Sequence, residues 1–145
     1  MNAHTLAYGK ATAAAPGGAL ISVVPALGRA MISAIFLLSG AAKLAASGTT
    51  IAFIRASGVP LAEVAYGLST GLEVLGGLAL LLGLRTRWIA AIFFLYALAT
   101  AILFHANLDD QNQFLNFFKN IAMAGGLLHV VALGGGRLSL DARQA

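Results

Sequence analysis

Four apolar blocks, each long enough to cross a lipid bilayer, dominate this chain. About 20 mostly apolar residues span the ~30 Å hydrocarbon core at 1.5 Å per helical residue. The blocks run from about residue 19 to 47, 61 to 84, 88 to 105 and 117 to 134. None alternates as a barrel strand would, and backbone inside lipid must satisfy its own hydrogen bonds. The expected fold is therefore all-α, a four-transmembrane-helix bundle. Composition points the same way: 59% of residues are hydrophobic and 10% charged, against roughly 25% charged in soluble domains.

Residues 1–18, rich in Ala and Gly with a single Lys10, lack the apolar run of a cleavable signal peptide and read as a flexible N-terminal tail. Residues 19–136 form the expected membrane domain and 137–145 a C-terminal tail. Breakers separate the spans: Ser47-Gly48 and Gly58-Val59-Pro60, then Gly83 to Arg87, then Asn107 to Gln113. Four crossings put both termini and the Arg85/Arg87 loop on one side, with Lys10, Arg29, Arg137 and Arg143. Lys43, Arg55 and Lys119 fall on the other. Because Lys and Arg accumulate in cytoplasmic segments, both termini are expected in the cytoplasm. Small residues at Gly67, Gly71, Gly76, Gly77, Ala97, Ala101, Ala122 and Gly126 suit close helix packing in lipid.

Several chemistries are excluded. The chain has no cysteine, so thiol nucleophiles, disulfides, iron–sulfur clusters and Cys-zinc sites have no ligands. The net charge of +4 is scattered among apolar blocks and forms no stripe suited to nucleic acid. No phosphate-binding loop or dinucleotide fingerprint is present. His105 and His129 lie on different spans at depths ~15 Å apart by helical rise, too far to hold one haem iron. No metal site is expected.

Ionisable residues inside a span are expensive and mark functional or pairing sites. Glu73 lies about ten residues into the second block, ~15 Å deep. Glu63, Tyr66, Thr70, Glu73 and Gly77 form one stripe on that helix, and Arg29, Ser33, Phe36, Gly40 and Lys43 form another on the first. Antiparallel packing sets Lys43 near Glu63 and Arg29 near the opposite end, with Glu73 between them. His105 and Lys119-Asn120 add polar groups to the same half of the bundle as Lys43, with Tyr96 and Thr100 further in. The plainer alternative is that Glu73 pairs with a lysine and fixes helix order.

The order Gly28-Arg29, Ser39-Gly40-Ala41-Ala42-Lys43-Leu44, Gly58-Val59-Pro60, Glu73 with Gly76-Gly77-Leu78, Leu82-Gly83-Leu84-Arg85-Thr86-Arg87, His105, Phe118-Lys119-Asn120 and Gly136 to Asp141 resembles the DoxX family. The resemblance implies a multi-pass bacterial inner-membrane protein with four helices, described as an oxidoreductase component. Some relatives are associated with quinone-linked sulfur oxidation or with membrane complexes that handle oxidative stress. Arg29, Lys43, Glu73, His105, Lys119 and Asn120 match the family's polar pattern.

Three readings follow. In the first, a quinone or similar lipophile binds between the first, second and fourth spans. Glu73, with Lys119 or His105, transfers protons; Lys43, Lys119 and Asn120 donate to carbonyl oxygens; Arg29 belongs to the polar set, and Gly76-Gly77 makes room. Electrons would then come through the quinone or a membrane or soluble redox partner, since the chain has no thiol. The second reading is a non-enzymatic scaffold anchoring a soluble redox partner through Arg85, Arg87 and the basic C-terminus. The third is a small-solute carrier. The bilayer is a partner in all three, and a homo-oligomer is compatible with each.

Overall fold

The computed structural model describes residues 17–144, with side chains from residue 22 onward. Lys10 and nearly all of the expected N-terminal tail lie outside the described residues. The described chain is all helical: α1 (Gly17–Ala45), α2 (Ser47–Ala56), α3 (Ala62–Gly71), a π-helical turn (Leu72–Gly76), α4 (Gly77–Leu82), α5 (Thr86–Phe104), α6 (Gln111–Leu133) and the short α7 (Asp141–Gln144). Four segments are long and apolar enough to cross a membrane: Ser22–Ala45, Ala62–Leu82, Thr86–Phe104 and Gln111–Leu133. The second of these joins α3, the π-turn and α4 into one span.

Two elements depart from the sequence expectation. The segment after Ser47, read as a connection, is the ten-residue helix α2. It buries Ile54 and sets Phe53 against Phe104, ring centroids 5.6 Å apart. Gly48 alone is too weak a breaker to melt it; the helix stops where Gly58 takes a φ of 77°. The fourth span starts at Gln111, about six residues before the apolar block. Asp110 caps it, its Oδ1 accepting from the Gln113 N–H at 2.9 Å. A capped first turn can be polar because it stands at the membrane edge.

α1 packs along the whole second span, and α5 and α6 form a second pair. The halves meet in a core of Phe36, Leu80, Ala90, Phe93 and Leu127. Phe36 and Phe93 stack with centroids 3.9 Å apart. All five lie in the middle of the bundle or toward the end where α4 finishes and α5 begins. That end is closed by the C-terminal segment. Leu140 and Asp141 donate backbone N–H groups to the carbonyls of Leu82 and Gly83. The Asp141 carboxylate accepts from the N–H groups of Arg85 (2.6 Å) and Thr86 (2.8 Å). It thereby caps α5, whose own N-cap residue, Arg85, sits in the left-handed region and supplies no side-chain cap.

Candidate functional site

The opposite half of the bundle is hollow. A cavity of ≈ 900 Å³, within the range of small-molecule sites, lies between α1, the second span, α5 and α6. The α2 residues Thr50, Phe53 and Ile54 line it too. Its wall is mostly apolar, and the polar exceptions gather in two places.

The deeper group centres on Glu73, which is 2% exposed. Three donors converge on its Oε1: Lys43 Nζ at 2.6 Å, Tyr96 Oη at 2.7 Å and Ser39 Oγ at 3.1 Å. Lys43 Nζ also donates to Tyr96 Oη at 3.1 Å. The other carboxyl oxygen, Oε2, is buried and has no hydrogen-bond partner among the described residues. Two local features bring these groups together. Ser39 and Lys43 stand four residues apart on α1 and so share a face. Glu73 sits in the π-turn, a rare wide turn that recurs at functional positions in helices. Gly40 makes the approach close enough: a Cβ there would stand 2.7 Å from Val74 Cγ2 and 3.2 Å from Glu73 Cβ.

The shallower group borders the far end of the cavity. His105 Nδ1 is 2.8 Å from Gln113 Oε1, tying the end of α5 to the first turn of α6. Asn120 is held at both ends: its Oδ1 accepts from Thr100 Oγ1 (3.2 Å) and its Nδ2 donates to the Asn116 carbonyl (2.9 Å). Lys119 also lines the cavity and is exposed. It has no hydrogen-bond or ion-pair partner among the described residues.

Of the residues singled out from sequence, Lys43, Glu73, His105, Lys119 and Asn120 all line this cavity. Arg29, Gly76 and Gly77 do not. Arg29 is buried at the closed end, where its guanidinium donates to the carbonyls of Leu80 (2.9 Å), Leu81 (3.3 Å), Gly135 and Leu138 (2.9 Å). It ties the second span to the C-terminal segment. Gly76 accommodates the Phe93 ring and Gly77 accommodates Leu37; both glycines are filled by neighbouring side chains. Lys43 pairs with Glu73 directly, while Glu63, the partner that helix register suggested, pairs instead with Arg55 on the exposed side of α2 and α3. The Lys43 ammonium meets the same Glu73 oxygen as Ser39, four residues earlier on α1, so its side chain leans back toward the helix N-terminus, which register alone does not capture. His129 faces outward, its Nδ1 against the Gly125 carbonyl. Sequence reasoning passed over Ser39, although its i,i+4 spacing to Lys43 was a usable signal. It also passed over the π-turn, for which the sequence carried none.

Comparison with known proteins agrees with this architecture. A family profile described as DoxX matches residues 24–106. The chain is 30% identical over 131 residues to the inner membrane protein YphA of Escherichia coli K12, covering 87% of this chain and 94% of that one. It is 34% identical over 113 residues to the inner membrane protein YqjF of the same organism, covering 78% and 85% respectively. No solved structure matches. With four helices of spanning length, likeness to inner-membrane proteins over most of its length and a family match over most of its first three spans, this chain is a multi-pass inner-membrane protein that belongs to the DoxX family.

Proposed function

We propose that the cavity holds a membrane lipophile of the quinone type, and that the chain serves as the lipophile-binding subunit of a membrane redox system. The observation that carries this reading is the pairing of ≈ 900 Å³ of mostly apolar space with one polar focus on its wall, Lys43, Glu73, Tyr96 and Ser39. A ring with an apolar tail needs such a shape: space for the tail and a few fixed groups for the head. Lys43 and Tyr96 hold the Glu73 carboxylate, and Glu73 takes or gives the proton that accompanies reduction or oxidation of the head group. His105 and Lys119, nearer the membrane surface, relay that proton outward. The five Arg residues at the closed end (Arg29, Arg85, Arg87, Arg137 and Arg143), against Lys43, Arg55 and Lys119 toward the other, orient that end and the C-terminus to the cytoplasm.

The test is extraction of the detergent-purified protein followed by mass spectrometry and absorbance for stoichiometric quinone, in wild type and in Glu73→Gln. Quinone present in the first and depleted in the second supports the reading. Both proteins folded and empty would overturn it.

One feature favours a scaffold as the second reading. Arg85, Arg87, Arg137 and Arg143 are exposed beside the rigid joint that Asp141 makes with α5, a fixed basic face for a soluble partner. Replacing Arg85 and Arg87 with Gln would release such a partner while leaving cavity occupancy unchanged.

A further inference from the structure

We infer that a second pocket, at the arginine-rich end of the bundle, binds the head group of an anionic phospholipid, with Arg85 and Arg87 holding its phosphate and Trp88 and Leu133 lying against its acyl chains. The inference is independent of what fills the large cavity at the opposite end.

The pocket forms where two spans reach the membrane edge. α5 begins at Thr86 and α6 ends at Leu133, and an open pocket of ≈ 590 Å³ lies between these two ends and the C-terminal segment. Arg85, Arg87, Trp88, Leu133, Asp141 and Gln144 line it. Gly134 ends α6 with a φ of 78°, and a Cβ there would stand 3.2 Å from Arg87 Nε. Arg87 therefore lies against the exit of α6, next to Leu133.

The cations of this pocket are uncommitted. Neither Arg85 nor Arg87 has a side-chain hydrogen bond or ion pair among the described residues. The Asp141 carboxylate on the same wall accepts the backbone N–H groups of Arg85 and Thr86 at 2.6 and 2.8 Å, and neither guanidinium lies within ion-pair distance of it. Two guanidiniums against one carboxylate leave the wall cationic, and the guanidinium fork matches paired phosphate oxygens.

The rest of the wall is apolar. Trp88 is 73% exposed and Leu133 74%; at the ends of spans such side chains meet the bilayer, and an indole there marks the head-group level. Cations and apolar surface thus adjoin at that depth, the combination by which basic pockets beside span ends recognise anionic head groups. Free phosphate has no chain to cover the indole and the leucine, and an acidic soluble protein does not reach below the head groups. A zwitterionic lipid carries a phosphate too, but brings an ammonium among the guanidiniums. An anionic lipid does not.

Trp88 is the single tryptophan of the chain, so its fluorescence reports this pocket alone. The full-length protein is placed in nanodiscs of phosphatidylcholine with a fixed minority of phosphatidylglycerol. Bromine, a contact quencher, is carried either by the phosphatidylglycerol or by an equal amount of the phosphatidylcholine, so that bulk composition is the same in both samples. The quenching is expected to give phosphatidylglycerol a relative affinity about tenfold or more above phosphatidylcholine beside Trp88. Arg85→Gln/Arg87→Gln should bring the two lipids near parity. Arg137→Gln/Arg143→Gln removes the same charge at the same end from residues that do not line the pocket, and should keep most of the preference. Equal affinities in wild type would overturn the inference and leave Arg85 and Arg87 to a soluble partner; this comparison decides even if a variant is unstable. A preference that survives Arg85→Gln/Arg87→Gln, or falls equally in both double variants, would also overturn it, the second result pointing to a diffuse basic face. Abolition of the preference by inorganic phosphate at matched ionic strength would overturn it in favour of the free anion.

Discussion

Lys43 Nζ lies 2.6 Å from Glu73 Oε1, joining α1 to the π-turn of the second span in the middle of an apolar bundle. A pair this deep is not equivalent to its two halves. Removing one member strands a buried charge and costs about 3–5 kcal/mol, whereas replacing both with apolar side chains is often neutral or stabilising.

Lys43→Met alone should therefore lower the melting temperature in detergent substantially, and Lys43→Met/Glu73→Met should recover most of the loss. A double variant no more stable than the single would show that Lys43 matters through its other side-chain contact, the 3.1 Å bond to Tyr96 Oη.

Gly40 is the second determinant of that junction. Because a Cβ there would press on Val74 Cγ2 at 2.7 Å, and the next nearest atoms are Glu73 Cβ and the Val74 backbone nitrogen, Gly40→Ala forces the π-turn away from α1. The expected penalty is about 1–3 kcal/mol, typical of overpacking. A Cβ on Gly28, on the same helix, would meet nothing within 4 Å among the described residues. Gly28→Ala should be neutral or stabilising by up to about 1 kcal/mol. Thermal unfolding of the two variants in parallel checks both signs, and equal effects would refute the assigned close approach.

These glycines show how much of the molecule can be read from sequence. Four spans were legible because a mostly apolar run of about twenty residues matches the thickness of a bilayer and little else. The polar wall of the cavity was legible because Glu73, Lys43, His105, Lys119 and Asn120 interrupt or border those runs. The same rule also singled out Arg29, since burial of a charge does not say whether it serves a ligand or four backbone carbonyls. Gly76 and Gly77 look like Gly40 in sequence, yet only the three-dimensional packing tells which neighbour fills each notch. The first turn of α6 had a readable sign, Asp110 three residues before Gln113, hidden by the polarity of the intervening residues. α2 and the π-turn depend on tertiary contacts, with Phe104 and with Gly40, that no local pattern encodes.

Asp141 gives a pH-dependent prediction. Burial pushes its carboxyl up, but hydrogen bonds from Thr86 and Arg85 and the charge of Arg29 outweigh it, so the pKa is lowered below the ordinary aspartate value. A group that holds its proton less tightly when folded contributes its full stabilisation above the unfolded pKa and loses it as pH falls through the folded one. The wild type should lose stability as pH falls below the ordinary aspartate pKa of about 4, and Asp141→Asn should remove that part of the acid sensitivity. At neutral pH Asp141→Ala should lower stability by about 0.5–2 kcal/mol, as loss of a helix N-cap does. Melting curves at several pH values check this. An unaltered acid limb in Asp141→Asn would assign it to other carboxylates.

Arg29 is the last of the buried charges, and its environment makes a prediction that separates charge from shape. Its guanidinium serves carbonyls at the end of α4, Leu80 and Leu81, and in the C-terminal segment, Gly135 and Leu138. Helix C-termini leave carbonyls unsatisfied, and only a planar, five-donor group reaches several at once. Arg29→Lys keeps the charge but offers one compact ammonium. It should leave at least two carbonyls unmet, each lost bond to a charged donor being worth about 1.5–3 kcal/mol. The C-terminal segment should then detach more often from Leu82 and Gly83, where backbone bonds from Leu140 and Asp141 hold it. Trypsin cleavage after Arg137 should quicken several-fold in Arg29→Lys relative to the wild type, while the Lys43 and Glu73 end of the bundle keeps its cavity. Unchanged cleavage would mean that Asp141 and the two backbone bonds hold the segment without Arg29.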